Sequence, residues 1–289
     1  MTENIIKNTR MSPTSKEIVR KAIKKGYKFK VINEKKRCLL TDGAKKYKFT
    51  VFVCSAYNTK LSKRVTVQKE VTSRLLRAKG HNAPENMVFE KNDVERAWNW
   101  AKTILPVVIK PYNGTRGNSV YTGINNKEEF VFAFGEIANK FDSALVEKME
   151  KGEEYRFAFL NGEIVAVTKR VKAHVIGDGK SSIEQLIEEK NIIRVQRKNP
   201  IHKPIKINEN LLKTLNGQNL DLKSVPKKDE IVILSNKMNI ADGSEAVDYT
   251  DKISDEIKIK VAKAAKSIRG LRIAGLDVLV NNQDVIIIE

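Results

Sequence analysis

Apolar runs in this chain are only a few residues long, Val285-Ile286-Ile287-Ile288 being typical. A bilayer-spanning helix needs about 20 consecutive apolar residues. The apolar surface must therefore be buried by folding short strands and amphipathic helices onto one another. With 41% hydrophobic residues in 289, the chain can build a sizeable core and more than one lobe. The N-terminal stretch MTENIIKNTRMSPTSKE has no apolar core of signal-peptide length. The expectation is a cytoplasmic protein with no membrane segment.

Periodicity and turn signals predict the elements. A helix is expected over Ser15–Lys25, with Ile18, Val19, Ala22 and Ile23 on one face and Lys16, Arg20, Lys21, Lys24 and Lys25 on the other. Strands follow at Tyr27–Ile32, Cys38–Leu40 and Tyr47–Cys54. Helices are predicted over Val67–Lys79 and Asp93–Lys102, then a buried strand over Pro106–Pro111 and a helix over Glu128–Phe141. Further strands read at Ala144–Glu147, Glu154–Leu160 and Glu163–Val171, the last two joined by an Asn161-Gly162 hairpin turn. A helix at Ile183–Lys190, a strand at Ile231–Leu234 and a helix at Asp255–Ile268 precede two final strands, Ile273–Val280 and Val285–Glu289. Residues 191–229 read as irregular. The pattern is α+β with mainly antiparallel sheets, not a run of βαβ units.

Charge is unevenly spread. Residues 1–80 carry net +17 (22 Lys+Arg against 5 Asp+Glu), whereas residues 81–289 carry net +2 (32 against 30). An anionic partner and a merely solvated basic surface both account for this, since charge alone specifies no site. Two cysteines, Cys38 and Cys54, support neither a disulfide framework nor a four-ligand zinc site. Both fall in expected strands and read as small buried hydrophobes. His81, His174 and His202 are scattered.

Gly179-Lys180-Ser181 is the nearest approach to a phosphate loop, but His174 stands where such a motif needs glycine. Gly177-Asp178-Gly179 reads as a tight turn after a strand. Lys110 ends an apolar strand, where a lysine is costly unless an anion meets it. The segment Asn113-Gly114-Thr115-Arg116-Gly117-Asn118-Ser119 behind it offers backbone donors that can close over phosphates; a surface hairpin beside a snorkelling lysine fits as well. Asp277 and Glu289 lie in or at the end of paired apolar strands, as magnesium ligands or as solvated strand ends. Val146-Glu147-Lys148-Met149, followed by Glu153-Glu154-Tyr155-Arg156, suits an adenosine hinge or an exposed acidic turn.

In this order the features resemble the ATP-grasp superfamily. Within it, the chain is similar to the ATP-grasp part of cyanophycin synthetase and to the glutathione-synthetase half of the bifunctional bacterial glutathione enzyme. The stretches that carry the resemblance are Pro13–Val19, Gln68–Leu76, Pro106–Gly117, Gly152–Arg156, Arg170–Gly179, Ala274–Asp277 and Ile288–Glu289. It implies an ATP-grasp fold in which two α+β lobes, 63–145 and 146–289, clasp ATP behind a small basic pre-ATP-grasp α/β region, 1–62. It implies that Lys69 and Lys110 hold phosphates under a loop of Gly114, Thr115 and Gly117. Glu147 and Met149 fall at the adenine hinge, Glu154 on the ribose, and Asp277 and Glu289 on magnesium. Arg156 and Arg170 become the catalytic candidates.

Two positions depart from the family. Its pattern continues past the last glutamate to an Asn ligand, whereas the sequence ends at Glu289, so one magnesium site is expected to be incomplete or the sequence trimmed. Its Asn-x-Ser-Thr-Gly-Gly turn is replaced by Asn239-Ile240-Ala241-Asp242-Gly243-Ser244, which makes Asn239 and Gly243 substrate candidates and suggests an altered substrate.

The expected function is an ATP- and magnesium-dependent carboxylate–amine ligase acting on an amino acid or peptide through an acyl phosphate. The alternative is a catalytically reduced relative that binds nucleotide and an anionic polymer or partner. Nucleic acid is disfavoured, because aromatics are 7% and form no stacking cluster. A homodimer is left open.

Overall fold

The computed structural model describes residues 2–32, 37–49, 57–112, 119–196, 203–235 and 243–289. The chain divides into two compact units, one of residues 1–63 with 269–273 and one of 64–268 with 274–289.

The smaller unit starts with two helices, α1 (Thr2–Lys7) and α2 (Pro13–Lys24). Helix α2 begins where local chemistry favours it: Pro13 stands at its first position and the Ser12 hydroxyl accepts from the Ser15 N–H at 3.2 Å. An antiparallel meander follows, β1 (Lys28–Ile32), β2 (Arg37–Thr41) and β3 (Lys46–Phe49). Ile6, Met11, Val19, Cys38 and Leu40 form the core of this unit. Cys38 is thus the buried hydrophobe the sequence suggests, and Cys54 lies outside the described residues. Helix α1 is unforeseen, and it changes the expected basic face. Arg20 turns back onto Glu3 at 2.7 Å, while Lys21, Lys24 and Lys25 stay exposed. Asn58 holds the returning segment by donating to the Ile273 carbonyl at 2.7 Å and accepting from the Arg272 and Ile273 N–H groups at 2.8 and 2.9 Å.

Helix α3 (Lys60–Val67) leads into the larger unit, where α4 (Lys69–Ala78) starts after a break. The helix expected over Val67–Lys79 is α4, and α3 was not expected; Gln68, with an extended backbone (φ −98°, ψ 96°), separates the two. Then come β4 (Asn86–Glu90), α5 (Val94–Ala101), β5 (Val107–Pro111), β6 (Tyr121–Ile124), α6 (Lys127–Phe141) and β7 (Ser143–Lys148). The strands form one sheet in the order β4-β7-β5-β6. Helices α5 and α6 pack against it through Ala97, Phe130, Phe134 and Ile137, and Trp98 anchors on Phe130 with ring centres 5.4 Å apart.

The remaining strands are β8 (Glu153–Leu160), β9 (Glu163–Val171), β10 (His174–Ile176), β11 (Ile231–Ile233), β12 (Glu245–Asp248), β13 (Ile273–Asn281) and β14 (Asp284–Ile287). Five of them make a sheet in the order β12-β9-β8-β13-β14, and β10 pairs with β11. Helix α9 (Asp255–Lys266), capped by Ser254, packs against the five-stranded sheet. Helices α7 (Ile183–Gln196) and α8 (Glu209–Asn216) cover the small β10–β11 pair. Helix α7 runs beyond its expected end at Lys190, and α8 lies inside the segment read as irregular. The signals of α8, the capping Asn208, Leu211 and Leu215 at i,i+4 spacing and Gly217 at the end, are present in the sequence and were passed over because the helix is only eight residues long. No helix among the described residues is long and apolar enough to cross a membrane.

Gly177-Asp178-Gly179 is the turn the sequence suggested. The Asp178 carboxylate accepts from the N–H groups of Lys180 and Ser181, which hold its pKa down to about 2. A Cβ at Gly177 would overlap the Lys227 carbonyl oxygen. Gly177→Ala is therefore expected to lower stability by about 1–3 kcal/mol, as overpacked sites do, and denaturant unfolding measures it.

Candidate active site

Strand alternation decides which side chains leave the cores. In β5, Val107 and Ile109 face the α5–α6 layer, so Lys110 leaves by the other side. The register sets Lys110 opposite Leu145 and Val108 opposite Glu147. Lys110 and Glu147 are then diagonal neighbours on one face, and Lys110 Nζ lies 2.7 Å from Glu147 Oε1. Asn86 stands directly across from Glu147 in β4. Its Nδ2 donates to Glu147 Oε2 at 3.1 Å and to Ser73 Oγ on α4 at 3.0 Å. A carboxylate only accepts, so the bond to Glu147 fixes which end of the amide is nitrogen. Asn86 Oδ1 is buried with no hydrogen-bond partner among the described residues.

The anion that meets Lys110 in this structure is thus Glu147. Sequence reasoning set Glu147 at an adenine hinge; in this structure its side chain meets Lys110 and Asn86. The end of β7 and residues 149–152 connect this sheet to the five-stranded one. There the N–H groups of Lys148 and Met149 donate to the carbonyls of Glu85 and Pro106 at 2.8 and 2.9 Å. The Met149 side chain is partly exposed.

The second group lies on the five-stranded sheet. Buried and unburied residues alternate along β8, with Tyr155, Phe157 and Phe159 inward and Glu154 and Arg156 outward. On the outward face, Arg170 of β9 donates to Glu154 at 2.9 Å and to Asp277 Oδ1 of β13 at 3.1 Å. Arg156 donates to the same Asp277 oxygen at 2.8 Å. Two acids and two arginines therefore form one network across three neighbouring strands. Burial pushes the Glu154 carboxyl above its ordinary pKa; Arg170 opposes this and Asp277 adds to it.

Glu289 joins the edge of this region. The Ile288 and Glu289 N–H groups both donate to the Asp277 carbonyl, and the Asp277 N–H returns a bond to the Glu289 carbonyl at 2.8 Å. Two residues opposite one make a bulge, which re-aims the strand end. The Glu289 carboxylate meets Lys69 at 3.1 Å, at the start of α4.

Gly114, Thr115, Gly117 and Asn239 lie outside the described residues. Gly243 has a clear packing reason to be glycine. Its φ is +106°, a Cβ there would lie 2.8 Å from Ile205, and its carbonyl accepts from the buried Arg194 at 3.1 Å. Sequence reasoning missed Asn86, Ser73 and Arg194. Nothing local marks Asn86, whose contact with Glu147 spans 61 residues of chain. Arg194 had a visible signal, an arginine continuing the apolar helix Ile183–Lys190, and the helix was simply ended too early.

Asp277 and Glu289 supply oxygen donors only, with Lys69, Arg156 and Arg170 beside them. That suits magnesium, which takes one or two carboxylates and completes its shell with water and phosphate oxygens. No cluster of three or more His, Cys, Asp or Glu suited to a metal occurs among the described residues, so a ligand's phosphates would have to supply the rest.

No protein-family profile matches the chain. The glutathione biosynthesis bifunctional protein of Clostridium perfringens is 33% identical over 272 residues, covering 90% of this chain and 34% of that protein. The cyanophycin synthetase of Trichormus variabilis is 30% identical over 280 residues, covering 96% of this chain and 31% of that protein. The crystal structure of a bifunctional glutathione synthetase from Pasteurella multocida superposes with a TM-score of 0.69 at 27% identity, over 96% of this chain and 40% of the other. The chain spans about a third of the length of these curated relatives. The α+β architecture and these similarities agree with the fold expected from the sequence: the chain belongs to the ATP-grasp superfamily.

Proposed function

We propose that the chain is an ATP-dependent carboxylate–amine ligase that works through an acyl phosphate. The observation that carries this reading is the Glu154–Arg170–Asp277–Arg156 network on one sheet face. It belongs to a chain similar over most of its length to a glutathione biosynthesis protein and a cyanophycin synthetase.

A substrate carboxylate oxygen attacks the terminal phosphorus of ATP, and ADP leaves. An amine then attacks the acyl carbon, phosphate leaves, and the amine gives up a proton. Negative charge builds on phosphoryl oxygens in the first step, and fixed cations stabilise it. Arg156 and Arg170 are our choice for that work. Lys69 and Lys110 hold the ATP phosphates, Lys110 exchanging Glu147 for a phosphate oxygen. Gly114, Thr115 and Gly117 cover them and exclude water, which would hydrolyse the acyl phosphate. Met149 lies against the base and Glu154 accepts from the ribose. Asp277 and Glu289 would hold magnesium, which supplies charge neutralisation at the phosphates when bound. Asn239 and Gly243 are assigned to substrate recognition. In this reading residues 63–145 and 146–289 are the two clasping lobes and 1–62 a basic accessory region. The substrate is an amino acid or short peptide, and the exposed lysines of α2 favour an anionic one. A cytoplasmic location fits this chemistry.

The test is phosphate release from ATP and magnesium across paired amino acids and short peptides, with the coupled product identified by mass. Release that requires both an acid and an amine, with a new amide mass, is expected. Nucleotide binding without release across the whole panel would overturn the ligase reading.

A further inference from the structure

Arg156 reaches Asp277 by an unusual route. It projects from β8, and β13 lies beside β8 in the sheet. Residues 275 and 277 of β13 share a face, because side chains alternate along a strand. To reach Asp277 the Arg156 guanidinium lies across the position of residue 275, which is glycine. A Cβ built there would sit 2.5 Å from Arg156 Nη2, 2.7 Å from Nε and 2.8 Å from Cζ. Every one of these contacts is closer than real Cβ atoms tolerate.

Glycine is otherwise a poor choice here. It weakens a strand interior, costs more backbone entropy on folding than alanine and packs nothing. Its backbone is not in the left-handed region at this position, and the nearest obstacles to a Cβ are all Arg156 atoms. Neither conformation nor core packing asks for it.

We propose that Gly275 is a positioning residue: the space above its Cα is the seat of the Arg156 guanidinium, and this seat lets Arg156 and Arg170 share one oxygen of Asp277. With the seat filled, Arg156 must leave Asp277. Its side chain is 44% exposed and has room to swing into solvent. The Asp277 carboxylate then keeps Arg170 alone. The catalytic side of this inference rests on the ligase reading; the seat itself does not.

The test is a cycle of Gly275→Ala and Arg156→Ala, read by thermal unfolding of the full chain without nucleotide or metal. In the parent background Gly275→Ala should lower the midpoint by about 1–3 °C, because it breaks the Arg156–Asp277 contact. In the Arg156→Ala background the same change should raise the midpoint by a similar amount, because only the ordinary preference for alanine over glycine remains. The sign reversal is the expected result. A shift of the same sign and size in both backgrounds would overturn the seat. Turnover is the second readout: Gly275→Ala should cost about tenfold in the parent and nothing further once Arg156 is gone. A reversed midpoint with equal turnover losses in both backgrounds would keep the seat and remove its catalytic role. If no variant or parent turns over at all, the ligase reading fails while the unfolding cycle still decides the seat.

Discussion

A Lys110→Ala variant is expected to lose ATP turnover and to unfold more readily than the parent by about 3–5 kcal/mol. The ion pair with Glu147 is the reason for the loss of stability. Glu147 is 4% exposed, and without Lys110 its Oε1 keeps a buried charge with no cation on it. Removing both charges together avoids this cost, since a buried pair replaced by neutral groups is often close to neutral in stability. The double change Lys110→Met with Glu147→Gln should therefore recover most of the lost stability. It should not recover nucleotide binding, which loses a charged contact of roughly 1.5–3 kcal/mol in either variant. Denaturant unfolding and nucleotide titration by calorimetry separate the two effects. Parent-like nucleotide affinity in the double variant would take Lys110 out of the site.

Asp277→Asn is expected to raise the magnesium concentration for half-maximal turnover by on the order of 10- to 100-fold, the worth of about 1.5–3 kcal/mol for one charged contact. Asparagine keeps the shape of the side chain and an oxygen for both arginines, and Arg170 retains Glu154. Stability should change far less than metal dependence. Magnesium titration of turnover beside a thermal scan gives both numbers. Unchanged metal dependence would confine Asp277 to holding the arginines.

The strands at 107–111, 153–160 and 163–171 were legible from different signals: 107–111 opens on a short apolar run, 153–160 alternates, and Asn161-Gly162 marks the turn between the last two. The acids and arginines of the second sheet were named from sequence as separate candidates. Their union into one network was not visible, because it depends on β13 inserting beside β8 across 121 residues of chain. Lys110 was flagged as a lysine in want of an anion. Its partner could not be read, because Glu147 becomes a neighbour only through the register of β5 on β7. Helix α3 was missed for a different reason: Lys60–Val67 is only eight residues long and mostly polar, with Leu61, Val65 and Val67 its only large apolar residues.

The bulge at Asp277 also answers a problem of phase. Val278 pairs with Ile287 and Val280 with Val285, all four inward and buried. Alternation carried on without interruption would put Glu289 in step with Val285 and Ile287. A carboxylate would then join the apolar layer beneath α9, on the opposite side from Asp277. The extra residue, Ile288, shifts the count by one and lets a single strand serve two masters. Up to Ile287 it keeps time with the core, and after the shift it keeps time with the acids and arginines. A chain regularised by removing that one residue would look better paired on paper. Its acid would follow Ile287 directly, across from Asp277 and on the same face, so the bulge is what absorbs Ile288 without turning the acid into the core.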